Sequence, residues 1–295
     1  MFRSVRFFSL HTPWPESEQA LADKLATVPF TPCPPFLDQS SGFEPPAGDE
    51  QGPLARRVHG ADLFRLRSQT RLLPAAAVNE ALEARIAEYR ARTGEEPSRR
   101  ARRILREQTR DELRPKALLK SQRTHALCLL NERIIAVGTA AESRAERFVE
   151  QLRAALGTLT VKPLAFKRPF EEFLHAAFTG NGPRELVLGR ECALIDAAEG
   201  KSKVRWQDAD LAHAAVRQCL ADGMRLTHVA LELPGTMSFV LNRDGVVSKL
   251  RVAAEDPPAT PDEDPLARLD AQLVLLAGAL RSLLAALERV LGSAR

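Results

Sequence analysis

Aromatic rings are scarce in this chain. One Tyr and two Trp stand among 295 residues, so a surface that binds single strands by base stacking has little to build with. The four cysteines, Cys33, Cys128, Cys192 and Cys219, form no CxxC pair. They read as scattered small hydrophobes in a reducing compartment rather than as disulfides or a zinc site. The six histidines fall at neither HxxxH nor HExxH spacing, and no metal site is expected. A phosphate loop is absent, because Gly42, Gly48 and Gly52 are separated by prolines and no Lys-Ser or Lys-Thr follows them. No serine sits in a nucleophile-elbow context. The longest charge-free apolar run, Ala271 to Leu280, is too short to span a bilayer. Acids are missing from Met1 to Leu10, as in a transit peptide. Yet Arg3, Val5 and Phe7 alternate with Phe2, Ser4 and Arg6, which suits a first strand better, and no continuous apolar stretch marks a secretory signal. The cytoplasm is the expected compartment, with no catalysis and no cofactor.

What the chain does have is charge in one place. The formal net charge is +4. Ten basic residues nevertheless crowd between Arg99 and Arg123, namely Arg99, Arg100, Arg102, Arg103, Arg106, Arg110, Arg114, Lys116, Lys120 and Arg123. Three acids oppose them, Glu107, Asp111 and Glu112, so this stretch carries +7 and the remainder −3. On a helix Arg99, Arg103, Arg106 and Arg110 stand at i, i+4, i+7 and i+11, on one face. Four guanidiniums along about 16 Å, at about 1.5 Å per residue, repel one another unless an anion lies alongside. Duplex DNA offers roughly one negative charge per 1.7 Å of axis, and arginine's planar fork suits phosphate. The plainer reading is a solvated basic face with partners such as Arg103 and Glu107. Ten bases against three acids leave most arginines without one.

A rival lies at Asp196-Ala-Ala-Glu199-Gly-Lys201, an acid-x-Lys element behind another acid. Metal-dependent nucleases hold a divalent ion with two carboxylates and keep a Lys near the attacking water. Here only two residues separate Asp196 from Glu199, and Gly200 between two charges suits a turn. The stretch 199–203 reads as an exposed loop.

Periodicity predicts a mixed α and β chain. A strand over 2–10 and a helix over 16–26 precede a loop over 29–53, rich in Pro and Gly. Residues 54–58 and 61–67 form a hairpin about His59-Gly60, with Leu63 and Phe64 inside. Pro74 opens a helix carrying Val78, Leu82, Ile86 and Tyr89, stopped at Gly94. Ser98 caps a second helix to about Leu113, and Arg114-Pro115 begins a short further turn. Strands over 124–130 and 133–137, a helix over 141–156 closed by Gly157, and a strand over 159–165 follow. Helices over 169–178 and 209–221 come next. A hairpin then pairs 225–233 and 237–241 with 246–252, turning at Arg243-Asp244-Gly245. Pro257, Pro258, Pro261 and Pro265 make an acidic linker. The last helix sets Leu266, Leu269, Leu273, Leu276, Leu280, Leu283, Leu287 and Val290 at steps of three and four. That is a heptad seam, open to burial within the chain or at a subunit interface. The expected organisation is a mixed α/β central region (1–73 and 124–165), a protruding basic helical tip (74–123), and a second mixed region (166–295).

A succession of short stretches resembles the recombination-associated RdgC family. Phe30-Thr31-Pro32-Cys33 after an amphipathic helix is one, and Leu73-Pro74 before Val78-Asn-Glu-Ala-Leu82-Glu83-Ala-Arg-Ile86 is another. The basic stretch into Arg110-Asp111-Glu112 and Lys120-Ser-Gln-Arg-Thr124 are similar too. So are Leu156-Gly157-Thr-Leu159 with Pro163-Leu164, Leu188-Gly189 with Cys192, Val204-Arg205 before Asp210-Leu211, and Ser238-Phe239-Val240-Leu241. The similarity runs in one order from about residue 2 to residue 290.

The resemblance implies an α+β homodimer closed into a ring, with duplex DNA passing through a basic central hole and little regard to sequence. It also implies association with the nucleoid and restraint of RecA-driven strand exchange. Carried over, the basic tip includes Arg99 and its neighbours, followed by the turn Pro115-Lys116-Ala117-Leu118. Two departures stand out. Family members often have Phe where Leu118 stands, and many carry basic residues where Trp206-Gln207-Asp208 follow Arg205 here. DNA contact in that loop is therefore expected at Arg205 alone, with Trp206 packing. The expected DNA-binding set is Arg99, Arg100, Arg102, Arg103, Arg106, Arg110, Lys116, Lys120, Arg123 and Arg205. No catalytic residue, metal or membrane is expected. A metal-dependent nuclease acting on DNA is the alternative, and an adaptor that blocks a recombinase by protein contact is a third.

Overall fold

Apolar and polar residues alternate through the first strand, and the computed structural model buries Val5 and Phe7 while leaving Arg6 half-buried. The structure describes residues 2–48, 51–196, 200, 202–253 and 264–293. In chain order the first elements are β1 (Ser4–Leu10), α1 (Glu18–Leu25), β2 (Gln39–Glu44), β3 (Ala55–Val58), β4 (Ala61–Leu72), α2 (Ala75–Thr93), α3 (Arg99–Leu113), a 3-10 turn (Arg114–Lys116) and β5 (Leu118–Leu129). Then come β6 (Ile134–Val137), α4 (Glu142–Leu156), β7 (Val161–Pro163), α5 (Phe170–Thr179), β8 (Val187–Asp196) and β9 (Lys203–Trp206). The last are α6 (Ala214–Ala221), β10 (Met224–Leu233), β11 (Met237–Asn242), β12 (Val247–Val252) and α7 (Pro265–Leu291). The architecture is mixed α+β, with a large antiparallel sheet and seven α-helices among the described residues.

Two compact units divide the chain: Met1–Thr27, Pro45–Arg65 and Thr124–Arg295 form the first, Val28–Glu44 and Leu66–Arg123 the second. β4 and β5 each begin in one unit and end in the other.

In the first unit β1 is central. Its Arg6–Ser9 stretch pairs with β6, Ser4 and Val5 pair with β12, and Phe8 to Leu10 pair with β7. Because Phe8 and Ser9 have partners in both β6 and β7, those two strands flank opposite edges of β1. From β12 the order continues β11, β10, β8, β9, all antiparallel. The expected hairpin about His59-Gly60 is present, with Val58 opposite Ala61 and Ala55 opposite Phe64. Both turn residues have positive φ, 47° and 69°, the twist that tight antiparallel turns need, and Gly60 adopts it without a side-chain clash.

The seam of α7 is buried within the chain itself. Leu273, Leu276, Leu280, Leu283 and Leu287 are all at most 4% exposed, and they join the core that α5, β10 and β12 build. Ion pairs fix the helix laterally. Arg56 of β3 grips Asp270 through Nε (2.8 Å) and Nη2 (2.5 Å), and that hydrogen bond holds the Asp270 carboxyl below the usual carboxylate range. Arg281 donates to Glu132 at 3.1 Å and to the carbonyls of His59 and Gly60. A helix pinned by its polar flanks presents one apolar stripe to the sheet, as the heptad spacing requires.

Five expectations give way. The loop expected over 29–53 contains β2, a polar strand with Phe43 buried that owes its state to pairing beside β4 rather than to its own alternation. β5 starts at Leu118, so Leu118–Arg123, expected in a helical tip, is strand. There Ser121 Oγ accepts from Gln69 Nε2 of β4 at 3.0 Å. β8 and β9 were not expected, because Arg190 and Glu191 break the apolar alternation of one and the other is four residues long. The helix expected from 209 begins at Ala214. Asp210 and His213 side chains accept from the Ala212 and Ala215 amides and hold the preceding residues in a turn. β10 pairs with β11 and β8, and β12 with β11, so 225–233 and 246–252 are not partners. Pro257, Pro258 and Pro261 of the expected linker lie outside the described residues, while Pro265 opens α7.

Candidate nucleic-acid interface

The second unit holds fifteen Lys and Arg against ten Asp and Glu. α2 and α3 form a helical pair within it, and each begins and ends where its sequence dictates. α2 follows Pro74, buries Val78, Leu82 and Ile86 at helical spacing, and ends at Gly94, whose N–H donates to the Arg90 carbonyl at 2.8 Å. α3 starts after Ser98, whose Oγ accepts from the Ala101 amide at 3.2 Å, satisfying one of the open donors of the first turn. Arg102 reaches back to Glu83 of α2 at 3.1 Å, and Arg85 of α2 pairs with Glu112. These bridges tie α3 to α2.

Arg99, Arg103, Arg106 and Arg110 lie on α3 as expected and are all exposed. Arg103 pairs with Glu107 at 3.2 Å with its side chain 82% exposed, a contact worth little in water. Among the described residues no carboxylate lies within 4.0 Å of Arg99, Arg100, Arg106, Arg110, Lys116 or Lys120. The first turn of α3 also contains no acid. Arginines at the positive end of a helix dipole destabilise it by about 0.3–1 kcal/mol each. Taken alone, the cations gathered at this end of α3 weaken the helix.

The remaining expected residues are occupied. Arg123, on β5, pairs with Glu44 at 2.7 Å, and Arg205, on β9 of the first unit, pairs with Glu191 at 2.5 Å. Arg114 bridges Asp38 (2.8 Å) and Asp111 (2.7 Å), and hydrogen bonds to these two, Asp38 first, raise its pKa above the ordinary value. Asp196 is the last residue of β8, while Glu199 and Lys201 of the nuclease-like element lie outside the described residues. Among the described residues, no group of three or more His, Cys, Asp or Glu is placed to hold a metal ion, and no helix is long and apolar enough to cross a membrane.

A residue that sequence reading missed organises this unit. Arg71, near the end of β4, donates to the carbonyls of Leu37 (3.0 Å), Cys33 (3.1 Å), Pro34 (3.0 Å), Arg114 (3.0 Å) and Ala117 (3.4 Å). It thereby fastens the loop before β2 and the turn that carries Lys116. The signal was present: Arg65, Arg67, Gln69 and Arg71 recur at period two on one long strand. Arg71→Ala strands several carbonyls and is expected to destabilise the unit by on the order of 3 kcal/mol. Arg71→Lys, with a compact charge and three donors, should recover only part. Urea melts of the two variants check this, and equal stability of Arg71→Ala and the parent would reject it.

A family model described as "Putative exonuclease, RdgC" matches residues 1–294. The chain belongs to the RdgC family. A protein of Xanthomonas oryzae pv. oryzae (strain PXO99A) named "Recombination-associated protein RdgC" is 32% identical over 295 residues, which cover 98% of this chain and 97% of its own length. One of the same name from Pseudoalteromonas atlantica (strain T6c / ATCC BAA-1087) is 30% identical over 279 residues, 93% of this chain and 92% of its own. The RdgC match thus covers both units, the arginine helix and α7 alike.

Proposed function

We propose that this RdgC-family chain binds duplex DNA through its phosphates, without regard to sequence, and acts in recombination. The observation that carries the reading is the exposed row on α3, where Arg99, Arg106 and Arg110 have no carboxylate partner among the described residues and Arg103 has only a solvated one. Guanidiniums along one helix face offer several cations to the closely spaced phosphates of a duplex, and such contacts position a protein without reading bases. The relatives' names support the place in recombination. The family resemblance supports the rest of the proposal: a homodimer closed into a ring around the duplex, nucleoid association in the cytoplasm, and restraint of RecA-driven strand exchange.

The test is binding to several unrelated duplexes over a range of salt. Affinities should agree across sequences, and log affinity should fall linearly with log salt. A strong preference for one sequence, or binding indifferent to salt, would count against phosphate recognition. The same duplexes, linear and nicked, should survive incubation with Mg²⁺ or Mn²⁺. Cleavage lost in Asp196→Ala or Glu199→Ala would establish a nuclease instead.

A further inference from the structure

A groove of about 680 Å³ opens on the sheet of the first unit, and the arginines of α3 contribute nothing to it. Its lining includes three small residues, Gly189 of β8, Ala230 of β10 and Ser238 of β11. Gly189 has to be small, because a Cβ there would stand 2.8 Å from the Cβ of Ala230. Four cations line the groove: Arg3 just before β1, Arg190 on β8, and Lys249 and Arg251 on β12. Asp208 engages Arg190 at 2.6 Å, and Glu232 is a further acid of the lining. Arg3 and Arg251 are exposed, with no carboxylate within ion-pair distance among the described residues.

β12 bulges at this point. Ser238 pairs with Arg251 and Val240 with Ser248, so Lys249 and Leu250 together oppose Phe239. Lys249 takes a φ of 51°, a conformation unfavourable for a residue with a side chain, and bulges of this kind re-aim side chains beside functional sites. Lys249 Nζ is carried over β11 and β10 to the Glu191 carboxylate on β8, and Arg205 Nη2 of β9 reaches the same carboxylate at 2.5 Å. The Glu191 side chain is 16% exposed, whereas those of Lys249 and Arg205 are 53% and 55% exposed. Burial pushes the Glu191 carboxyl up, but hydrogen bonds from Lys249 and Arg205 outweigh it and hold it below the usual range. It is an anion at neutral pH. One shielded carboxylate thus spans the groove and occupies two cations that face solvent.

We propose that this groove is a second site for the phosphodiester backbone, in which Arg3 and Arg251 receive the strand and Glu191 competes with it for Lys249 and Arg205. The inference rests on the duplex-binding reading but is independent of α3. An internal competitor keeps the contact weak and exchangeable, because each phosphate gained displaces an ion pair already made.

Glu191→Gln keeps the side chain's shape and removes its charge. The salt slope for a short mixed-sequence duplex should steepen by up to about 1.8, at roughly 0.9 per added phosphate contact, which at 0.1 M salt corresponds to roughly 60-fold tighter binding. Adding Lys249→Ala and Arg205→Ala should abolish that gain. The pair Arg3→Ala and Arg251→Ala should flatten the slope by about 1.8 in the otherwise unaltered chain, which keeps the test decisive even where Glu191→Gln does not fold by thermal melt. Unchanged slopes in folded Glu191→Gln, or in the Arg3, Arg251 pair, overturn the groove whatever the α3 variant does. Steepening by Glu191→Gln in a chain with Arg99, Arg103 and Arg106 replaced by Ala supports the groove. Should that triple replacement alone keep the wild-type slope, the α3 assignment falls and the groove stands.

Discussion

Replacing Arg99, Arg103 and Arg106 together by Ala is expected to flatten the plot of log affinity against log salt by about 2.7, from roughly 0.9 per phosphate contact. At 0.1 M salt the same loss is roughly 500-fold in affinity. The loss should be nearly equal on unrelated duplexes, since phosphates carry no base information. Folding should not suffer. The three side chains are exposed and only Arg103 has a carboxylate partner, a surface pair worth about 0–1 kcal/mol. Removing cations from the amino end of α3 relieves an unfavourable dipole interaction, and Ala is the better helix former. The melting temperature is therefore expected to hold or rise slightly. A solvated face far from the ligand predicts a smaller change, because only screened long-range attraction is lost, over about 10 Å at 0.1 M salt. A folded triple variant with the parental slope would remove α3 from the interface.

Leu283→Arg should unfold the protein. Leu283 is fully buried in the stripe of α7 that packs on the sheet of the first unit. An unpaired guanidinium there costs several kcal/mol, against a total stability of about 5–15 kcal/mol for a typical domain. Leu275→Arg places the same charge on the same helix at a residue that is 45% exposed, and should change stability by less than about 0.5 kcal/mol. Leu283→Ala, which leaves a cavity without a charge, falls between, at about 2–5 kcal/mol. Thermal melting ranks the three, and light scattering gives the mass. If Leu283→Arg stays folded and only halves the mass, the seam is an interface between copies rather than core.

Much of this outcome was legible in the residues. The arginine helix begins just after Ser98 and ends at Leu113, as its cap and its Arg114-Pro115 terminus predict, because helix capping is a local matter of one side chain and one amide. The His59-Gly60 hairpin is equally local. Strands were harder. β2, β8 and β9 are set by neighbours in the sheet, and a strand whose apolar face is interrupted by Arg190 and Glu191 carries no clear period of two. Strand state is side-chain packing against a pleated neighbour more than backbone preference, so it is weakly written in any one segment.

The site divides the same way. Composition and spacing by themselves determined that cations gather on one helix face, that three acids cannot neutralise them, and that α7 carries an apolar stripe. Those are counts and periods, and the helix repeat converts them directly into faces. Which cations are spent internally was decided only by tertiary structure. Arg102 and Arg123 find Glu83 and Glu44, and Arg205 shares Glu191 with Lys249 across the sheet, from partners 14 to 79 residues away in the chain. Tertiary structure also settled the burial of α7 from Leu273 to Leu287 and drew five carbonyls around Arg71. Ion pairing and burial depend on which distant segments meet. That in turn depends on how the sheet orders its strands, a property of the whole chain that no local pattern contains.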